Sequence, residues 1–261
     1  MPVEQEKELG DGPVLVLVPG IAGPWQYVGP AVDALATRFR VVTFSLGTGT
    51  EGSSGIERDV ERMRRILDVR RIESAIVCGI SYGGVVATCF AARNPARTRA
   101  LIVASAPGAG WHLRPRHEVY ARWPLVFGPV FLAESPFRLK AELAAALPAL
   151  SDRWRFARWQ LRTLVSAPLS LSQMASRARS LASHDVVADC RRVATPTLVV
   201  TGERELDRVV PLDSTATYSQ LIPGARSVVM EGTGHLGTIT RPAMFADIVQ
   251  SFVRHAVEAV A

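Results

Sequence analysis

The stretch Ala75-Ile76-Val77-Cys78-Gly79-Ile80-Ser81-Tyr82-Gly83-Gly84 decides how the rest of the chain is read. Its first four residues are apolar without polar alternation, the pattern of a strand covered on both faces. From Tyr82 a helical pattern runs to Asn94 and is stopped by Pro95. Between them lies Gly79-Ile80-Ser81-Tyr82-Gly83, a G-x-S-x-G turn in a strand–turn–helix setting. Such a turn bends sharply only if positions 79 and 83 lack side chains, and it forces the serine into strained backbone geometry. The Ser81 hydroxyl then stands clear at the top of a sheet, above a helix amino end whose dipole favours negative charge. The plainer alternative is a glycine-rich turn whose serine merely caps the helix.

The same alternation repeats on either side of this stretch. Val14 to Val18, Arg40 to Phe44 and Ala100 to Ala104 are short apolar runs, and helical patterns occupy Gly29 to Thr37 and Ile56 to Asp68. The rhythm resumes late, with strands at Thr197 to Thr201 and Arg226 to Met230, and helices at Asp213 to Leu221 and Pro242 to Val257. Strand–helix alternation predicts an α/β fold, a mostly parallel, doubly wound sheet with helices on both faces. Only Val3 to Leu9 is available for an edge strand at the amino end.

The interval from Pro107 to His184 breaks the rhythm, with no convincing strand, several prolines and four of the five tryptophans. The predicted organisation is a core of residues 1–106 and 186–261, with 107–185 as a helical cap over the carboxyl ends of the strands, where open α/β sheets bind ligands. Within it Ser151 is expected to cap a helix. Trp154, Ala157, Leu161 and Leu164 share one face of that helix, and Arg155, Arg158 and Arg162 another.

Bulk properties narrow the function. The 261 residues are 48% hydrophobic and 21% charged, enough for a sizeable core. The net charge of +6 lies in the insertion, which holds 11 Arg and Lys against 5 Asp and Glu, while the remainder balances at 19 each. With no zinc finger or aromatic RNP box, no nucleic-acid partner is expected. No apolar run reaches the roughly 20 residues of a membrane span. The acidic, polar start from Met1 to Leu9 lacks a basic stretch leading into an apolar one, which points to a cytoplasmic protein. Cys78, Cys89 and Cys190 have no CxxC spacing and read as small buried hydrophobes.

Two further loops carry chemistry. Gly232-Thr233-Gly234-His235-Leu236 follows the strand ending at Met230, so His235 can swing towards Ser81 and take its proton, with a pKa suited to that work. Gly202-Glu203-Arg204-Glu205-Leu206-Asp207 follows the strand ending at Thr201, and an acid there would hold the imidazole in the right tautomer. For Glu203 the preferred reading is a charged surface loop.

Serine, then an acid after the next-to-last strand, then histidine after the last strand resembles the chain order of the α/β-hydrolase family. The resemblance covers residues 13–106 and 186–258. It implies that Val18-Pro19-Gly20-Ile21-Ala22-Gly23 is the oxyanion loop, with the backbone N–H groups of Ile21 and Tyr82 as donors, each worth about 3 kcal/mol to the transition state. Relatives place the acid either three residues after the strand-end glycine, pointing to Glu205, or four before a proline, pointing to Asp207 ahead of Pro211. Asp207 is favoured. Two departures stand out: Pro19 replaces a common histidine, and Ser45-Leu46-Gly47-Thr48-Gly49 lacks the usual Asp and Arg-Gly pattern.

Serine at the elbow implies acyl transfer, so the expectation is a carboxylic-ester hydrolase acting on a small-molecule ester, with no cofactor and no metal. The rivals are a carbon–carbon hydrolase, a lactonase or a perhydrolase on the same three residues, or a non-catalytic ligand receptor of the same fold. Trp25, Ile80 and Leu236 are expected to line the pocket. The Trp154 face of the insertion helix is expected to join them with its arginines in solvent, favouring a neutral ester.

Overall fold

The computed structural model describes residues 5–47 and 55–258. In chain order the first half contains β1 (Glu6–Leu9), β2 (Val14–Val18), α1 (Gly29–Ala36), β3 (Arg40–Phe44), α2 (Gly55–Val69), β4 (Ala75–Ile80), α3 (Tyr82–Arg93) and β5 (Thr98–Ala104). Five helices follow without a strand: α4 (Pro115–Arg122), α5 (Pro124–Ala133), α6 (Ser135–Ala146), α7 (Leu150–Ser166) and α8 (Leu171–Ala182). The chain then returns through α9 (Val186–Cys190), β6 (Thr197–Thr201), α10 (Leu212–Leu221), β7 (Arg226–Val229), α11 (Gly237–Thr240) and α12 (Pro242–Glu258).

The described strands form one sheet in the order β1-β3-β2-β4-β5-β6-β7. Only β1 runs antiparallel, pairing Glu6 with Phe44 and Leu9 with Val41 at the edge. All other pairings are parallel. This is the α/β class expected from the alternation of apolar runs and helices. The edge strand starts at Glu6, and Val3 lies outside the described residues, as do Thr48 and Gly49.

Two apolar layers cover the sheet. Phe44, Met63, Leu67, Tyr82 and Phe90 gather on the face of α2 and α3. Leu15, Leu35, Phe39, Ile102 and Phe245 gather on the face of α1 and α12. Strands buried on both faces explain why their sequences are continuously apolar rather than alternating. No described helix is long and apolar enough to cross a membrane.

The helix α7 departs from expectation in two ways. Its N-cap is Ala149, with no side-chain capping bond, and Ser151 lies within its first turn. Its outer stripe also proves to be the one expected inside: Trp154 is 75% exposed and Leu161 63%, while Phe156 and Trp159 pack against the α1 and α12 layer. At 3.6 residues per turn the sequence Asp152-Phe156-Trp159-Thr163 is as good a stripe as Trp154-Ala157-Leu161-Leu164. Which stripe is covered depends on the surface it meets, and that surface is built by distant residues.

Phe245 on α12 is fully buried in the layer that joins α1 to the sheet. Phe245→Ala should therefore lower the unfolding free energy by about 3–5 kcal/mol, read from urea denaturation, because the surrounding helices cannot fully close the cavity.

Candidate active site

Ser81 sits between β4 and α3 with φ 56° and ψ −122°, a positive-φ conformation rare for a residue with a side chain. The close approach around it requires glycine. A Cβ at Gly79 would overlap the Gly83 carbonyl, and one at Gly83 would overlap the carbonyls of Val18 and Pro19 on the neighbouring loop. The Ser81 hydroxyl makes no capping bond to α3, so the helix-capping alternative does not describe it.

The loops after β6 and β7 converge on this serine. His235 Nε2 lies 3.2 Å from Ser81 Oγ, and His235 Nδ1 lies 3.3 Å from Asp207 Oδ2. Both side chains are withdrawn from solvent, at 11% and 5% exposure. The second oxygen of Asp207 accepts the backbone N–H groups of Val209 and Val210, each at 2.9 Å. Burial works against the Asp207 charge, but His235 and these N–H groups outweigh it and hold the carboxyl below the ordinary aspartate range. Burial likewise opposes a charged His235, yet the Asp207 and Glu142 carboxylates prevail and hold the imidazole above its ordinary value. Glu205 is exposed in the loop and outside this series. Glu203 is not a free surface charge: its Oε1 accepts the Gly232 N–H at 2.7 Å and ties the β6 loop to the His235 loop.

The loop Pro19 to Gly23 lies against the serine, a Cβ at Gly20 standing 3.5 Å from Ser81 Cβ. Arg177 on α8, only 2% exposed, donates to the carbonyls of Ile21 (3.0 Å) and Ala22 (3.4 Å), and to Gly47 (3.1 Å). Its guanidinium fills the space beside Gly23, where φ is +101° and a Cβ would come within 2.5 Å of Nη1. Asp59 on α2, fully buried, accepts from the Tyr82 hydroxyl at 3.0 Å and the Gly47 N–H at 3.1 Å. Arg177 and Asp59 thus brace the two segments that carry Ile21 and Tyr82.

A cavity of about 530 Å³ opens from Ser81, Ile21 and Tyr82 into α4, α5 and α8. Leu113, Phe131, Leu171, Met174 and Val209 contribute apolar walls, and Arg114, Arg138 and Arg208 also reach its lining. Trp25, Ile80 and Leu236, expected in that lining, are not part of it. Ile80 is buried as the end of β4, and Trp25 and Leu236 pack against the α1 and α12 layer, as Phe156 and Trp159 do. No residue of α7 lines the cavity, contrary to expectation, so the Trp154 face does not make the lining neutral.

Three charged residues around the site were not singled out from the sequence: Asp59, Glu142 and Arg177. Each interrupts the apolar stripe of its helix, as Asp59 does between Ile56 and Met63, and an ion at a core position is the signal that could have found them. Elsewhere Cys89 has neighbours that its sequence context does not reveal. His184 Nε2 lies 2.8 Å from Asp189 Oδ2, and the Cys89 thiol reaches the same carboxylate. This group already satisfies itself by hydrogen bonds beside the Arg93 guanidinium, surroundings that disfavour a cation.

A model of the alpha/beta hydrolase family matches residues 15–248. The chain is 26% identical to the 2-hydroxymuconate semialdehyde hydrolase of Pseudomonas putida, over 95% of this chain and 89% of that protein. It is 30% identical to the pimeloyl-(acyl-carrier protein) methyl ester esterase of Aeromonas hydrophila, over 95% and 98% respectively. Among solved structures, the enol-lactonase from Burkholderia xenovorans LB400 aligns with a TM-score of 0.76 over 95% of each chain, at 22% identity. The match runs from β2 into α12, across both halves of the sheet and the helices between them, and the chain belongs to the alpha/beta hydrolase family.

Proposed function

We propose that this chain is a serine hydrolase that cleaves carboxylic esters of small molecules through an acyl-enzyme on Ser81. The observation that carries the reading is the series Ser81–His235–Asp207, at 3.2 and 3.3 Å, opening onto the cavity. Ser81 Oγ attacks the ester carbonyl while its proton passes to His235 Nε2. Asp207 keeps the other ring nitrogen protonated and stabilises the imidazolium. The carbonyl oxygen becomes an oxyanion facing the backbone N–H groups of Ile21 and Tyr82. As the tetrahedral intermediate collapses, the carbon–oxygen bond to the alcohol breaks and His235 returns the proton to that alcohol. Water, deprotonated by His235, then attacks the acyl-enzyme; as the bond to Ser81 Oγ breaks, His235 returns the proton to that oxygen, and the acid and free Ser81 are released.

Residues 107–185 act in this reading as a cap whose α4, α5 and α8 close the substrate cavity. An ester is preferred because the 30% identical Aeromonas relative is a methyl ester esterase. A panel of esters, lactones and β-diketones scored by kcat/KM separates this activity from lactone and carbon–carbon cleavage. Covalent labelling by a fluorophosphonate separates catalysis from ligand reception on the same fold.

Ser81→Ala should abolish that labelling and lower kcat by about 10⁶-fold. A labelled Ser81→Ala protein would move the nucleophile elsewhere. Asp207→Asn should cost about 10⁴-fold in kcat, because the wrong histidine tautomer then faces Ser81. Glu205→Gln, at an exposed position, should leave the rate near wild type, and the reverse pattern would reassign the acid. Only neutral His235 can accept the serine proton. Because its pKa is raised, kcat/KM should climb with pH through a midpoint above the ordinary histidine value of about 6.5 and level off beyond it. A profile falling over that range would argue against a histidine base.

A further inference from the structure

Glu142 on α6 is 1% exposed and lies among the residues that surround His235. Its Oε1 accepts two backbone hydrogen bonds, from Gly234 at 2.9 Å and from Leu236 at 2.5 Å, the residues on either side of His235. Its Oε2 is buried without a hydrogen-bond partner. A buried acceptor left unpaired is costly, and a neutral side chain could serve the two N–H groups equally well. What a carboxylate adds is negative charge next to the imidazole.

We propose that Glu142 is a positioning residue for the general base: it holds the His235 loop by both flanking N–H groups and sets its charge against the imidazolium formed during turnover. The inference rests on the hydrolase reading for the role of His235, but the contact itself does not. Other groups face the same centre from each neighbouring element. Asp207 meets Nδ1 from the β6 loop, and Ser81 meets Nε2 from the β4–α3 turn. Glu203 holds Gly232 at the entrance to the loop, and Arg241 at the end of α11 donates to the Ala145 carbonyl on α6. The two carboxylates close to the imidazole, Asp207 and Glu142, therefore sit on different parts of the chain: one on the loop after β6, the other on the helical segment 107–185. Burial, the largest influence, together with the Asp207 charge holds the Glu142 carboxyl above its ordinary range, against the pull of the two N–H donors and His235 towards the ionised form. Seating α6 against α11 and the His235 loop thus completes the surroundings of the base, and the helical segment contributes to the chemistry as well as to the cavity.

The test uses the full chain with Glu142→Gln, Glu142→Ala and, as a control, Glu231→Gln, which removes the same charge from an exposed position near the same loop. Two readouts are taken: the His235 imidazole titration by NMR, assigned with His235→Ala, and kcat and KM for p-nitrophenyl butyrate across pH. Glutamine keeps an acceptor oxygen and loses the charge. Its His235 midpoint should shift to lower pH, with kcat on the high-pH plateau close to wild type. Alanine loses the hydrogen bonds as well, and should lower kcat by up to ~10²-fold with little change in KM. Glu231→Gln should move neither. An unchanged His235 midpoint in Glu142→Gln overturns the proposal, as does Glu142→Ala with lowered thermal stability and intact kcat. If the wild-type chain neither labels nor turns over ester, the hydrolase reading fails by itself, and the NMR midpoint still decides what Glu142 does to His235. Should Glu142→Ala not fold, the isosteric glutamine variant carries the test.

Discussion

At the turn from β4 into α3 the backbone passes so close to itself and to the Val18–Pro19 loop that side chains are excluded at both Gly79 and Gly83. That exclusion holds Ser81 at φ 56°, a conformation that costs on the order of 1 kcal/mol or more and persists only because the surroundings over-determine it. The rest of the site depends on it. The hydroxyl is lifted clear of α3, where the parallel strands β2, β4, β5 and β6 end, and where the loops that follow β6 and β7 can reach it. A parallel sheet brings all its carboxyl ends to one edge, so an acid, a histidine and a serine far apart in sequence arrive together.

The site is held from above as well as from below. Ions of opposite sign come from two helices of the segment 107–185: Arg177 on α8 grips the carbonyls of Ile21 and Ala22, and Glu142 on α6 grips the N–H groups flanking His235. Beneath Arg177, Asp59 holds the Tyr82 ring in place through its hydroxyl. Removing one partner from such buried arrangements leaves an uncompensated charge, which costs more than an exposed ion pair of the same geometry. These contacts tie loop positions to helix seating, so the geometry around Ser81 is a property of the whole fold rather than of three residues.

The cavity has mixed character for the same reason. Apolar walls come from α5 and α8, and Arg114, Arg138 and Arg208 stand in the lining with them. Arg138 is itself committed, lying over the Phe131 ring and donating to Ser135 and to the Phe131 carbonyl. Arg155, Arg158 and Arg162 of α7, by contrast, are exposed together with Trp154 and Leu161.

Features that depend on neighbours along the chain were legible in the residues. Uninterrupted apolar runs marked strands covered on both faces, and the run into Gly79-Ile80-Ser81-Tyr82-Gly83 marked the elbow, because strand, turn and helix follow one another within a dozen residues. The acid and histidine loops were legible as strand ends, and the spacing of Asp207 to Pro211 favoured the residue that meets the imidazole. Tertiary structure alone decided matters that depend on what faces a helix. The two stripes of α7 have the same periodicity, and only the α1 and α12 layer against which Phe156 and Trp159 pack selects the buried one. Glu142 and Arg177 gave no local signal of a partner, because the groups they hold lie about 90 and 150 residues away and become neighbours only once the helices settle on the sheet. Periodicity specifies a face of a helix, whereas the surface that covers that face is assembled from the whole chain.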